Sequence, residues 1–176
     1  MILSGDFELF YPLWDKAQIE LCSSDKIGLF RRFIDLYIVA CAIGIHDDSV
    51  KVDFEEKLDS PKMFGSKTYL SMDNNDLQAA LEFMLKTAIL TTKTIDIDNE
   101  ERIKLAFDPE YENKKIGNAS KFLNGFANYG LDKIYSVIEE TDSMANIDNI
   151  YGLLQKNAEA NYDSILDMIT LEEIIK

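Results

Sequence analysis

The segment FRRFIDLYIVACAIGI, Phe30 to Ile45, constrains the fold of this chain more than any other. Its uncharged part, Leu36 to Ile45, is ten residues long, against the roughly 20 apolar residues a membrane-spanning helix needs. Arg31, Arg32 and Asp35 close it on one side and His46, Asp47 and Asp48 on the other. A buried helix is therefore expected, not a membrane anchor. Ile27, Phe30, Ile34, Tyr37, Ile38 and Cys41 recur as one helical face, while Leu36, Val39 and Ile43 make the far side apolar as well. Such a helix lies in the middle of a bundle or leaves a face for a partner. Gly44 is expected to end it, and the alternation Val50, Val52, Phe54 predicts a short strand.

Helical signals recur down the chain. In DLQAALEFMLKTAIL, Leu77, Ala80, Leu81, Met84, Leu85 and Ala88 form an apolar face, with Asn74, Asn75 and Asp76 as N-cap candidates. DNEERIKLAF opens with Asp98 and carries Glu101 three residues on, like a capping box, and Pro109 stops it. In NASKFLNGFANYGLDKIYSVIEE, Phe122, Phe126, Tyr129, Ile134, Val137 and Ile138 keep mostly helical spacing, and Gly130 predicts a break or bend. Ile147, Ile150, Tyr151, Leu154, Ala158, Ile165 and Met168 mark a last helix. The fold expected is mainly α, a single-domain helical bundle over residues 1–176. Residues 46–75 form an irregular or short-strand insertion, with room for a strand or short β-hairpin near 50–70.

Charge and cysteine usage narrow the function. The 176 residues carry a formal net charge of −14, which disfavours direct nucleic-acid binding, because phosphate is held largely through Lys and Arg. Cys22 and Cys41 sit among apolar residues with no second ligand at metal spacing, and read as reduced core thiols. Met1 to Trp14 has Asp6 and Glu8 but no basic residue, unlike a signal peptide, so a cytoplasmic location is expected.

Candidate chemistry is sparse. His46 with Asp47 and Asp48 suggests a metal, but adjacent residues seldom point at one ion, and the cluster sits at a helix exit. Asp96 to Glu101 imitates the start of a calcium loop, yet Glu101 stands where the loop needs glycine and Phe107 where it needs a bidentate glutamate. Asp53, Glu55 and Lys57 could be read as a nuclease strand, though in a chain with 32 acids and 18 bases such triplets arise by chance. Phosphate-loop, dinucleotide, nucleophile-elbow and zincin motifs are missing. The chain is expected not to be an enzyme, and no cofactor or metal is expected.

Two features point to a binding role. The aromatic stretch FELFYPLW offers Phe7, Phe10, Tyr11 and Trp14 as interface anchors, or equally as a lid on the core. From Glu139 to Glu173 nine acidic residues face a single Lys156, and Glu159, Asp163 and Asp167 are candidates for steering a basic partner. FRRFIDLYIVACAIGI together with FLNGFANYGLDKIYSVIEE resembles the helical signatures of small accessory proteins encoded beside bacterial DNA phosphorothioation and related anti-phage defence genes. The resemblance covers those two segments: an aliphatic and aromatic helix ending at Ala42 and Gly44, then Phe126, Ala127, Asn128 and Gly130 before a second helix. It implies a non-enzymatic component working with larger defence proteins, and carries over no catalytic residue. The expected function is an acidic protein-binding subunit, with a DNA-mimic inhibitor and a metal-dependent hydrolase or nuclease as alternatives.

Overall fold

Trp14, Ala17 and Leu21 stand three and four residues apart, and this spacing buries one face of the helix Leu13–Leu21 (α1). Pro12 precedes it, where a fixed φ and a missing N–H cost nothing. The computed structural model describes residues 7–22, 28–64, 75–108 and 119–139. Over these the fold is mainly α: Phe7–Leu9 (β1), α1, Phe33–His46 (α2), Lys62–Phe64 (β2), Asn75–Thr91 (α3), Asn99–Phe107 (α4) and Ala119–Glu139 (α5). The chain divides into two compact units, Met1–Lys133 and Ile134–Lys176, where the sequence suggests one domain over 1–176. Apart from residues 134–139, at the end of α5, the second unit lies outside the described residues, as does the expected helix from Ile147 to Met168. All that follows concerns the first.

The apolar run forms α2, and its burial on several sides makes it the centre of the bundle. Ile34, Leu36, Tyr37, Ala40, Cys41 and Ile43 are all buried. Among the described residues no helix is long and apolar enough to cross a membrane. The helix begins at Phe33, so Ile27 and Phe30 precede it. Asp35 in its first turn complements the helix dipole and accepts three bonds from Arg32, two from Nε and one from Nη2.

Gly44 does not end α2. The helix continues to His46 and closes on Asp48, whose φ of 47° is left-handed. The Asp48 amide donates to the Ile45 carbonyl and the Ser49 amide to that of Gly44, the two bonds of a Schellman cap. An aspartate rather than a glycine is tolerated there because its carboxylate accepts from Thr92 Oγ1 at 2.6 Å and the Lys93 amide at 2.9 Å. Gly44 serves another purpose: a Cβ on it would overlap the Phe126 backbone carbonyl. Gly130 is the counterpart, where a Cβ would overlap the carbonyl of Ala40. The expected break at Gly130 is likewise absent, and α5 runs unbroken from Ala119 to Glu139. Both glycines let α2 and α5 cross with their backbones in contact.

The expected strand at Val50 to Phe54 is also absent. Lys51 spends its backbone groups on α5, its amide donating to the Gly125 carbonyl and its carbonyl accepting from Asn128 Nδ2. The strand in this region is β2, paired antiparallel with β1 in the register Phe7–Phe64, Glu8–Met63 and Leu9–Lys62. Asp98 caps α4 as expected, accepting from the Glu101 amide at 2.8 Å. Arg102 then bonds the carbonyls of Ile89, Thr92 and Ile95, tying α4 to the end of α3.

Gly44→Ala and Gly130→Ala are each expected to destabilise the protein by more than about 3 kcal/mol, since backbone must move. Gly125→Ala, whose Cβ would meet side-chain atoms, Val52 Cγ1 at 3.3 Å and Val50 Cβ and Cγ1 at 3.4 and 3.5 Å, is expected to cost about 1 kcal/mol or less. Urea denaturation of the three variants checks both. Cys41, buried with its Sγ 3.8 Å from the Leu123 carbonyl, has its thiol pKa pushed up by burial and is expected to be alkylated only on unfolding. Labelling of native protein at the same rate as denatured protein would contradict that.

Candidate functional site

Asn124 and Asn128 stand four residues apart on α5, and so share one face. Asn124 Oδ1 accepts from the Tyr37 hydroxyl at 2.9 Å, and its Nδ2 donates to the Glu8 carbonyl at 3.0 Å. Asn128 repeats the arrangement, accepting from Trp14 Nε1 at 2.7 Å and donating to the Lys51 carbonyl at 3.1 Å. Each amide thus joins an aromatic donor from another helix to the backbone of a non-helical segment. Among the described residues no buried side-chain polar atom is left without a partner.

One turn beyond Asn128, Asp132 completes a three-membered clasp. Its Oδ1 accepts from the Tyr11 hydroxyl at 2.5 Å and its Oδ2 from Lys51 Nζ at 2.6 Å, while Lys51 Nζ also donates to the Tyr11 oxygen at 2.7 Å. The ammonium lies 4.4 Å from the Tyr11 ring centroid, and that ring meets Phe54 at 5.1 Å. Burial raises the Tyr11 pKa and its bond to Asp132 adds to this, against the opposing effect of Lys51. For Lys51 burial acts downward, but the bonds to Asp132 and Tyr11 outweigh it and leave the pKa raised. The clasp ties Tyr11, just after β1, and the segment at Lys51 to α5.

These ties set the walls of a cleft of about 460 Å³. The β1 end supplies Glu8, Leu9 and Phe10, the following segment Val52, Phe54 and Lys57, and α5 the floor, with Lys121 at its first turn. Phe10 and Val52 remain 36% and 61% exposed at its edge. Lys57 Nζ stands 5.5 Å from the Phe54 ring.

A second surface lies on the α3–α4 hairpin. Phe83 and Leu90, seven residues apart, share a face of α3, and Ile103 and Phe107, four apart, share a face of α4. Lys86 Nζ, 5.5 Å from the Phe107 ring, joins the two faces. Phe83 is 70% exposed, Phe107 62% and Ile103 56%.

The candidate residues from the sequence divide between core and surface. Phe7 and Trp14 are buried, Phe7 edge-on to Tyr37 at 5.6 Å and Trp14 edge-on to Phe33 at 5.6 Å. That burial removes them from any surface role. Phe10 stays at the cleft edge, and Tyr11 belongs to the clasp. Glu159, Asp163 and Asp167 lie outside the described residues. His46 Nδ1 pairs with Asp47 Oδ1 at 3.0 Å, and Tyr129 donates to the other Asp47 oxygen at 3.2 Å, while Asp48 is spent on Thr92 and Lys93. Among the described residues no three His, Cys, Asp or Glu side chains gather as a metal would require.

The hairpin face escaped the sequence reading, although Phe83, Leu90, Ile103 and Phe107 all fall off the apolar stripes, a visible sign. Lys57 drew notice only beside Asp53 and Glu55, and Lys121 gave no sign, because only folding places both at the cleft. Comparison with known protein families, characterised proteins and solved structures returned no match.

The clasp has a pH signature. Tyr11 and Lys51 bind their protons more tightly in the folded chain than at the ordinary values of 10.0 and 10.5. Their contribution is therefore complete below those values and is lost as pH rises through the higher folded ones. Buried Tyr37, also raised, acts in the same sense. The Cys22 and Cys41 thiols are raised from 9.0 as well, so stability is expected to be flat from neutral pH to about 9 and to fall above it. Tyr11→Phe should lower neutral stability by about 1 kcal/mol and make the alkaline fall shallower, as read by urea titration across that range.

Proposed function

We propose that this protein is a non-catalytic binding subunit that docks on another protein through the α3–α4 face. The observation that carries this reading is the exposure of Phe83, Ile103 and Phe107 on two helices that pack on each other, with Lys86 of the first helix over the Phe107 ring of the second. Scattered apolar side chains on a surface are ordinary, but a contiguous set of large ones marks an interaction site. Burying each in an interface is worth about 1.5–3 kcal/mol. Around the face the charges are mixed, with Glu82, Glu100 and Glu101 against Lys86, Arg102 and Lys104 on the same helices. Long-range attraction of a basic partner comes instead from the net charge of −14, which acts on encounter rate more than on dwell time. The partner class we propose, following the resemblance of α2 and α5 to defence accessory proteins, is a larger basic subunit of a bacterial defence assembly.

Phe83→Asp combined with Phe107→Asp tests the reading, because both positions are exposed and the core is untouched. Affinity capture from the native host, followed by mass spectrometry, is expected to retain a stoichiometric protein with the unmodified chain. The double variant should lose that partner by at least about a hundredfold in Kd, the lower end of the worth of two apolar anchors, with its melting temperature kept. High salt should weaken capture by the unmodified chain. Equal capture by the double variant would remove the α3–α4 face from the interface.

A further inference from the structure

We infer that the cleft between β1, the segment through Val52 and Phe54, and α5 is a binding site for a small uncharged carbonyl compound, an apolar body carrying a ketone or carboxamide oxygen. This site is separate from the α3–α4 face and does not depend on it. Its volume of about 460 Å³ lies within the range of pockets that take small molecules, where apolar walls supply area and a few polar groups fix orientation. Leu9, Phe10, Val52 and Phe54 are the walls. Phe10 and Val52 stay exposed at the edge, so an apolar body entering the cleft removes their surface from water.

Asn124 and Asn128 supply the polar contact. Each side-chain nitrogen donates to one backbone carbonyl, that of Glu8 or of Lys51. A carbonyl only accepts, so neither amide can be turned round. A carboxamide nitrogen carries two hydrogens, which leaves one on each asparagine without a partner among the described residues. Asn124 and Asn128 are 8% and 6% exposed and both line the cleft, so the cleft is the open space that these hydrogens border. Four residues apart on α5, the two side chains stand on one face with Cβ atoms about 5–6 Å from each other. A ligand oxygen seated over that face meets a donor, and the donor gains an acceptor that the fold does not give it.

The charged lining selects against ions. Lys121 has a partner of its own, and the other charged residues of the lining, Lys57 and Glu8, are opposite in sign. Lys57 Nζ already lies 5.5 Å from the Phe54 ring. An ion of either sign would give up hydration in the cleft with no net opposite charge to meet. A neutral carbonyl gives up little and gains the amide hydrogen.

Octanamide is the probe, with octanoate and octylammonium as charged controls of equal chain length, each titrated into the protein and followed by proton–nitrogen correlation spectra. Octanamide is expected to shift the backbone amide resonances of Leu9, Phe10, Val52, Phe54 and Gly125. It should also move one side-chain amide hydrogen of Asn124 or Asn128 downfield, while the other hydrogen of that pair stays on its backbone carbonyl. Each charged control should bind at least about fivefold more weakly. Val52→Trp, at an exposed position, fills the cleft from its open side and should abolish the shifts. No shift up to the solubility limit of octanamide, equal or tighter binding of either ion, or asparagine side-chain resonances that stay still at saturation would each overturn the assignment. Shifts centred on Phe83 and Phe107 would overturn it as well, and would leave the protein-docking reading to partner capture, which octanamide does not test.

Discussion

The contact on which the rest of the first unit depends is the crossing of α2 and α5 at Gly44 and Gly130. Two helices usually stand 8–10 Å apart because side chains separate them. Here each glycine faces a backbone carbonyl of the other helix, that of Phe126 or of Ala40. The approach is possible only without Cβ atoms at those two points, and it has consequences on both sides. Cys41 Sγ comes within 3.8 Å of the Leu123 carbonyl, and the Tyr37 hydroxyl reaches the Asn124 amide. Leu36 and Ile43 of α2 and Leu123 and Leu131 of α5 are all buried.

A close crossing also explains why asparagine can be used inside. An unpaired buried amide costs about 1–3 kcal/mol, so Asn124 and Asn128 are tolerable only if the helices fix their partners. They do: Tyr37 from α2 and Trp14 from α1 donate, and the carbonyls of Glu8 and Lys51 accept. The same bonds hold two segments without helical structure of their own against α5. Lys51 is the most heavily used, with its amide on Gly125, its carbonyl on Asn128 and its ammonium on Asp132 and Tyr11. The cleft is thus a by-product of how the non-helical chain is fastened to the last described helix.

What the sequence discloses, and what it conceals, follows from this. Amphipathic stripes are local, and they gave α3, α4 with its Asp98 cap, and the central position of α2 correctly. Glycine is ambiguous locally. At Gly44 and Gly130 a helix-breaking reading and a close-packing reading predict the same residue, and only the partner helix decides between them. Asp48 illustrates the converse: aspartate is one of the few residues besides glycine that visit a left-handed position, but the groups that hold it there, Thr92 and Lys93, arrive from 44 and 45 residues away. Val50 to Phe54 has the alternation of a strand, but its hydrogen bonds go to a helix carbonyl and an asparagine side chain. Burial of Trp14 and Phe7 was one of two readings the aromatic stretch allowed, and Tyr37 with Phe33 decided it.

Net charge is the feature most easily read from the composition and the one that says least about the cleft. A charge of −14 governs what approaches from a distance, but at physiological ionic strength exposed charges are screened beyond about 8 Å. The cleft between β1 and α5 therefore feels the charged groups that line it, and hardly the acids on the far side of the bundle. Partner approach and cleft occupancy are consequently set by different groups of charges. Net charge and the local field of a recess are thus separate properties, because screening divides the surface into neighbourhoods of about that size.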